Sequence, residues 1–247
     1  PAIVGMFVNA LYNVVDRIYI GNIKDIGHLG ITGIGVVFPV VILIFSFSLL
    51  IGIGSAAAVS LKLGMKDREE AERFLGVAVF LSFIISAVLM VIIYFNMDKI
   101  IYLIGGSKDT FIYAKDYLFY INLGVPAAIL GLVLNSVIRS DGSPKIAMGT
   151  LLIGAITNIV LDYVFIFPMA MGIKGAAIAT GLGQLVTVSV VMPHFIMKRG
   201  KLTFGNVALD KNLIKEFVNV GLPSFFAEAA FSVIVFIQNI VVVNILG

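Results

Sequence analysis

Residues 31–61 read ITGIGVVFPVVILIFSFSLLIGIGSAAAVSL, thirty-one positions without one ionisable side chain. A helix needs about 20 mostly apolar residues to cross the hydrocarbon core of a bilayer, and this stretch exceeds that length. Six more segments of the same kind lie around it, at residues 1–23, 71–97, 111–138, 146–167, 175–197 and 213–246. Pro39, Pro126 and Pro223 fall inside three of the longest, where a bend is expected. The expected fold is therefore an all-α integral membrane protein, a polytopic helical bundle.

Composition supports that reading. Of 247 residues 60% are hydrophobic and 13% charged, against roughly 45–50% and 25% in soluble domains, and the mean hydropathy is +1.09. There is no cysteine, which excludes disulfides, thiol catalysis, thiolate metal sites and iron–sulfur clusters. Trp is absent while Phe numbers 19, so Tyr and Phe must supply any interfacial belt. No basic stripe lies outside the loops, and nucleic acid is not an expected partner. The first segment is no cleavable signal, since Asn9, Asn13, Asp16 and Arg17 interrupt its apolar run. The chain opens without Met and ends at Gly247, and reads as a piece of a longer protein.

The basic residues set an orientation. One set of loops holds eleven Lys and Arg, from Lys62 to Lys215, and the opposite set holds five, Lys24, Lys99, Lys108, Lys115 and Lys174. The richer side is expected to face the cytoplasm, which puts the N-terminus inside. The longest cytoplasmic connection begins at Lys198. It suggests a six-helix lobe at residues 1–197, a linker at 198–212, and a seventh helix at 213–247 that starts a second lobe. Laying Pro223 on Pro1 puts Gln238 on Asp16 and Asn244 on Asn22, a faint internal repeat of a kind common in transporters.

Few ionisable residues sit at membrane depth, where a charge costs about 2.5–3.5 kcal/mol even on insertion scales. They are Asp16, Arg17, Asp162 and Glu228. Asn9, Tyr12, Asn13 and Asp16 are spaced to share one helix face, as are Asn158 with Asp162 and Thr180 with Gln184. At 1.5 Å per residue, Asp16 and Asp162 lie ~22–24 Å above the inner surface and Thr180 ~8 Å below the outer one. These heights coincide in the outer half of the membrane, so one polar cluster is expected there, open to a cavity. Two carboxylates sharing a poorly hydrated site resist ionising together, and one can then take up and release a proton. That is antiporter chemistry, with no nucleophile or resident metal. Arg17 should snorkel to the headgroups. Gly52, Gly54 and residues 55–58 need no role beyond close helix packing. His28 and His194 read as solvated or interfacial, and residues 67–72 as a solvated loop.

Residues 139–184, RSDGSPKIAMGTLLIGAITNIVLDYVFIFPMAMGIKGAAIATGLGQ, resemble the multidrug and toxic compound extrusion (MATE) family. The resemblance rests on Arg139, Gly142 and Lys145 in the loop, Asn158 and Asp162 on the fifth segment, and the small-residue run from Gly175 to Thr180. Tyr12 and Asp16 within LYNVVDRIYIGNI, and the loop SLKLGMKDREEAERFLG, are similar as well. The resemblance implies twelve helices in two six-helix lobes around a central cavity, of which this chain holds the first lobe and the seventh helix. It implies a monomeric transporter in the cell membrane that exports small organic cations or drugs in exchange for H⁺ or Na⁺, with no further cofactor and no enzymatic step. In prokaryotic members the matching cation site is Asp16, Asn158, Asp162 and Thr180, the only place where a metal ion, Na⁺, is expected. Tyr12 and Asn135 lie nearby, although by depth Asn135 falls toward the inner end of its helix. Asn13, Gln184 and Glu228 complete the candidate neighbours. Glu228 departs from the family pattern, standing five residues after Pro223 where many members carry Glu eight after, the place held here by Phe231. A flippase for a lipid-linked sugar is the alternative, but it calls for basic residues in the cavity, and Arg17 is the one candidate.

Overall fold

The structure, a computed structural model, describes residues 2–204 and 211–246, without the side chains of residues 2–6, 9, 10, 244 and 246. Asn9 of the polar stripe, Pro1 and Asn244 of the repeat, and linker positions 205–210 thus lie outside what can be described. The described residues form seven helices: α1 (Ala2–Gly21), α2 (Gly27–Gly64), α3 (Arg68–Leu103), α4 (Phe111–Ser140), α5 (Pro144–Ile166), α6 (Gly172–Ile196) and α7 (Lys211–Leu246). Six of them, α2 to α7, are long and apolar enough to cross a membrane. α1 spans 20 residues and carries Asn13, Asp16 and Arg17 in its second half. It is held against α5 by the Tyr19 ring, 6.3 Å from Tyr163 and 5.8 Å from Phe167.

Local sequence explains the helix ends. Residues 67–72 are no free loop: Asp67 accepts the Glu70 N–H at 3.1 Å and caps α3. Arg68–Glu72 and Glu69–Arg73 then pair across its first turns. The sharp exit from α4 passes through Gly142 at φ +84°, which suits a residue without Cβ, and Pro144 opens α5 where a missing N–H is harmless. α2 and α3, at 38 and 36 residues, are roughly 54–57 Å long, far more than a core of ~30 Å needs, so their ends stand clear of it or the helices tilt.

α4 is the central post, with 72% of its apolar window buried by its neighbours, whereas α7 has 6%. Two apolar clusters stack along α4. One gathers Ile20, Val37, Ile101, Leu118, Ile129 and Ile173; the other gathers Val59, Phe74, Leu134, Ile138, Phe195 and Phe217. α7 lies antiparallel along α2. There the glycines permit close approach: a Cβ on Gly54 would strike the Phe217 carbonyl, and one on Gly221 the Leu50 carbonyl.

The second cluster carries a correction. His194 is neither solvated nor interfacial; it is 2% exposed, and its Nε2 lies 2.8 Å from Asp141 Oδ2. The other Asp141 oxygen accepts the Lys201 N–H at 2.8 Å. Leu202, fully buried, plugs the same end, and Glu72 Oε1 accepts both the N–H and the hydroxyl of Thr203, at 3.0 and 2.9 Å. The chain leaving α6 is therefore strapped across the ends of α3, α4 and α6.

Candidate functional site

α5 and α6 meet where side chains are smallest. Gly154 faces Thr187 with no room for a Cβ, and a Cβ added to Gly183 would come within 3.1 Å of the Asn158 Cβ. This close crossing brings the polar face of α5 onto that of α6. Asn158 Nδ2 donates to Thr180 Oγ1 at 3.4 Å, and Thr180 passes its own hydrogen to Ala176 O at 3.0 Å. With its amide nitrogen committed to Thr180, Asn158 turns its oxygen elsewhere.

That oxygen meets no donor. Neither do Asp162 Oδ1 and Oδ2 or Asp16 Oδ1, and all four are buried. Asp162 is 0% exposed, Asn158 3% and Asp16 9%. Asp16 and Asp162 are near enough for the charge of one to act on the other, and Tyr12 and Tyr117 feel both. Buried polar atoms nearly always find a partner, and exceptions call for an explanation. Four acceptors without a donor are a place for something positive: a proton, a small cation, or a water that carries either.

Beside Asn158, between α1, α5 and α6, lies a cavity of about 40 Å³ bounded by Tyr12, Asn158, Thr180, Gln184 and Thr187; neither Asp16 nor Asp162 lines it. One water needs roughly 10–15 Å³ measured the same way, so there is room for a water or a bare ion. Asp16 and Asp162 follow Tyr12 and Asn158 by one helical turn each. Among the described residues, no three His, Asp or Glu side chains gather as metal ligands.

The other anticipated neighbours fall elsewhere. Asn135 is not part of this cluster: its Nδ2 donates to Ala147 O at 2.8 Å and Thr150 Oγ1 at 2.9 Å, fastening α4 to the start of α5. Thr150 precedes Asn158 by eight residues, ~12 Å of helix rise. Asn13 is exposed and reaches the cavity only through its side-chain hydrogen bond to Tyr12, and Glu228 is half-buried on α7, the helix packed along α2. Arg17 is exposed and rests over the Phe38 ring at 5.0 Å. The residue that sequence reasoning missed is Tyr117 on α4, 7% exposed and near enough for charge on Asp16 and Asp162 to act on it. The depth count would have found it. It lies six residues into α4, ~9 Å from that end, level with Thr180.

The MatE family model matches residues 1–164. This chain belongs to the MatE family. It is 26% identical over 242 residues to the multidrug export protein MepA of Staphylococcus saprophyticus, covering 97% of this chain and 53% of that protein. MepA of Staphylococcus aureus strain MSSA476 is 24% identical over 228 residues, covering 91% of this chain and 50% of its own. Among solved structures, the MATE multidrug transporter DinF-BH superposes with a TM-score of 0.93 at 33% identity, over 99% of this chain and 55% of that one. MATE in complex with MaD3S gives 0.88 at 26%, over 98% and 54%. This MatE chain spans about half the length of these relatives, which are named as exporters or transporters and not as enzymes.

Proposed function

We propose that this MatE chain is the ion-coupling part of a secondary active exporter, one that moves organic cations or drugs out of the cell in exchange for H⁺ or Na⁺ by alternating access. The observation that carries this is the set of four buried oxygens without a donor on Asp16, Asn158 and Asp162. The resident of such a site is a cation that comes and goes. Asp16 and Asp162 hold it as paired carboxylates, Asn158 gives an amide oxygen, and Thr180 fixes the Asn158 amide. The export activity named for MepA supports the cargo class. Residues 1–197 serve as the first lobe, 198–212 as the linker and 213–247 as the start of the second, in the cell membrane with the N-terminus cytoplasmic, the full-length transporter acting as a monomer.

Binding and release of the coupling ion shift α1 relative to α5, because a carboxylate pair at close range repels when empty and is drawn together when occupied. Efflux of a fluorescent cationic dye from proteoliposomes, under an imposed pH gradient and then a Na⁺ gradient, tests this in the full-length protein. Gradient-driven efflux in wild type that disappears in Asp16→Asn and Asp162→Asn is the expected result, and the gradient that works names the ion. Full activity in both variants would sink the mechanism.

A further inference from the structure

Pro39 stands inside α2. A proline has no N–H, so the carbonyl four residues earlier, that of Gly35, loses its intrahelical donor. Lipid offers no replacement. The replacement comes from α7: Asn239 Nδ2 donates to Gly35 O and Val36 O, both at 3.2 Å. Two turns earlier on the same face of α7, buried Ser232 donates its hydroxyl to Pro39 O at 2.7 Å. The helices are thus joined in two ways. At the Gly54–Gly221 end backbone rests on backbone, with the Phe47 and Phe225 rings 4.9 Å apart just beyond. At Pro39 two side chains hold the weak point of α2.

What lies beyond Pro39 leads to the carboxylates. Residues 27–38 of α2 turn back on α1: Gly30 touches Ile20, and the Phe38 ring carries the Arg17 guanidinium. Arg17 is the neighbour of Asp16. This part of α2 is thus in contact with the segment of α1 that holds Asp16.

We infer that Ser232 and Asn239 are positioning residues that set the bend of α2 at Pro39 and, through Phe38 and Arg17, the placement of Asp16. The two side chains make α7 a sensor or driver of the first lobe's ion site. The link to transport rests on the function proposed above; the hinge itself does not.

The test is a double-mutant cycle in the native full-length protein, read by melting in detergent. Asn239→Leu removes the donor at similar volume, and Pro39→Ala returns an N–H to Gly35 O. Asn239→Leu should lower the midpoint by a few degrees with Pro39 present and leave it nearly unchanged with Ala at position 39. Simple packing loss would give the same drop in both backgrounds. With any cysteine outside these residues replaced, labels on cysteines introduced at exposed Ile31 and Leu61 can report the α2 bend as a distance, which should shift or broaden in Asn239→Leu. Additive losses, or an unchanged distance, overturn the inference. Should Pro39→Ala fail to assemble, the same distance in Ser232→Ala decides it. These readouts need no transport, so they separate a failed hinge from a failed exporter. Where export is measurable, Asn239→Leu should cut turnover several-fold at an unchanged half-saturating dye concentration.

Discussion

Two of the buried aspartates, Asp141 and Asp162, have opposite surroundings. Asp141, 3% exposed, has a partner for each oxygen, His194 Nε2 and the Lys201 N–H, both at 2.8 Å. Asp162, 0% exposed, has none. Burying a carboxylate is costly unless hydrogen bonds compensate it. At Asp141 the compensation is built in, and the group works as a clamp joining the ends of α4 and α6 to the chain that follows; His194 Nδ1 alone is left over there. At Asp162 no compensation is built in; in the function proposed above, the coupling ion supplies it. The contrast separates a carboxylate that holds the fold from one available to bind.

The comparison breaks most visibly on function. Asp162→Asn should abolish gradient-driven dye efflux, yet leave the melting midpoint of the detergent-purified protein unchanged or raised, because the carboxylate has no partner to lose and its charge is buried alone. A large drop in melting would mean that Asp162 is a structural group after all. Asp141→Ala should do the reverse. Removing one member of a buried, hydrogen-bonded pair costs roughly 3–5 kcal/mol, so the midpoint should fall by many degrees while efflux per folded molecule stays near wild type. Melting curves recorded beside efflux assays on the same preparations read both halves of the contrast.

The sequence made one of these sites legible and concealed the other, for a physical reason. Asn158 and Asp162 are one turn apart, as are Tyr12 and Asp16, so periodicity alone puts each pair on a face. Counting rise along spans of known thickness then brings three helices to one level. The spans themselves were evident from apolar length. Asp141 and His194 are 53 positions apart and meet only because α4 and α6 are neighbours, a packing fact with no local signature. The same holds for Asn135, which the family resemblance set near the cation site but whose partners are Ala147 and Thr150. Tyr117 was overlooked because a neutral aromatic on an apolar helix looks like any core residue. The pairing of α7 with α2 was equally hidden: both are long and apolar, and nothing in either names the other as its partner.

The smallest effect tests how far the clamp extends. Thr203 holds Glu72 Oε1 twice, through its N–H and its hydroxyl, and Glu72 also takes the Arg68 guanidinium at 2.9 Å. Unlike Asp141, this carboxylate is partly solvated, with 19% of its side chain exposed. Thr203→Val keeps the shape and the backbone hydrogen bond and deletes the hydroxyl. The expected cost is one hydrogen bond in a wet setting, about 0.5–1.5 kcal/mol, a shift of a degree or two in the same melting experiment. A loss as large as that of Asp141→Ala would relocate the clamp. The strap over α3, α4 and α6 would then depend on seating Thr203 at Glu72, with the buried Asp141–His194 pair following from it.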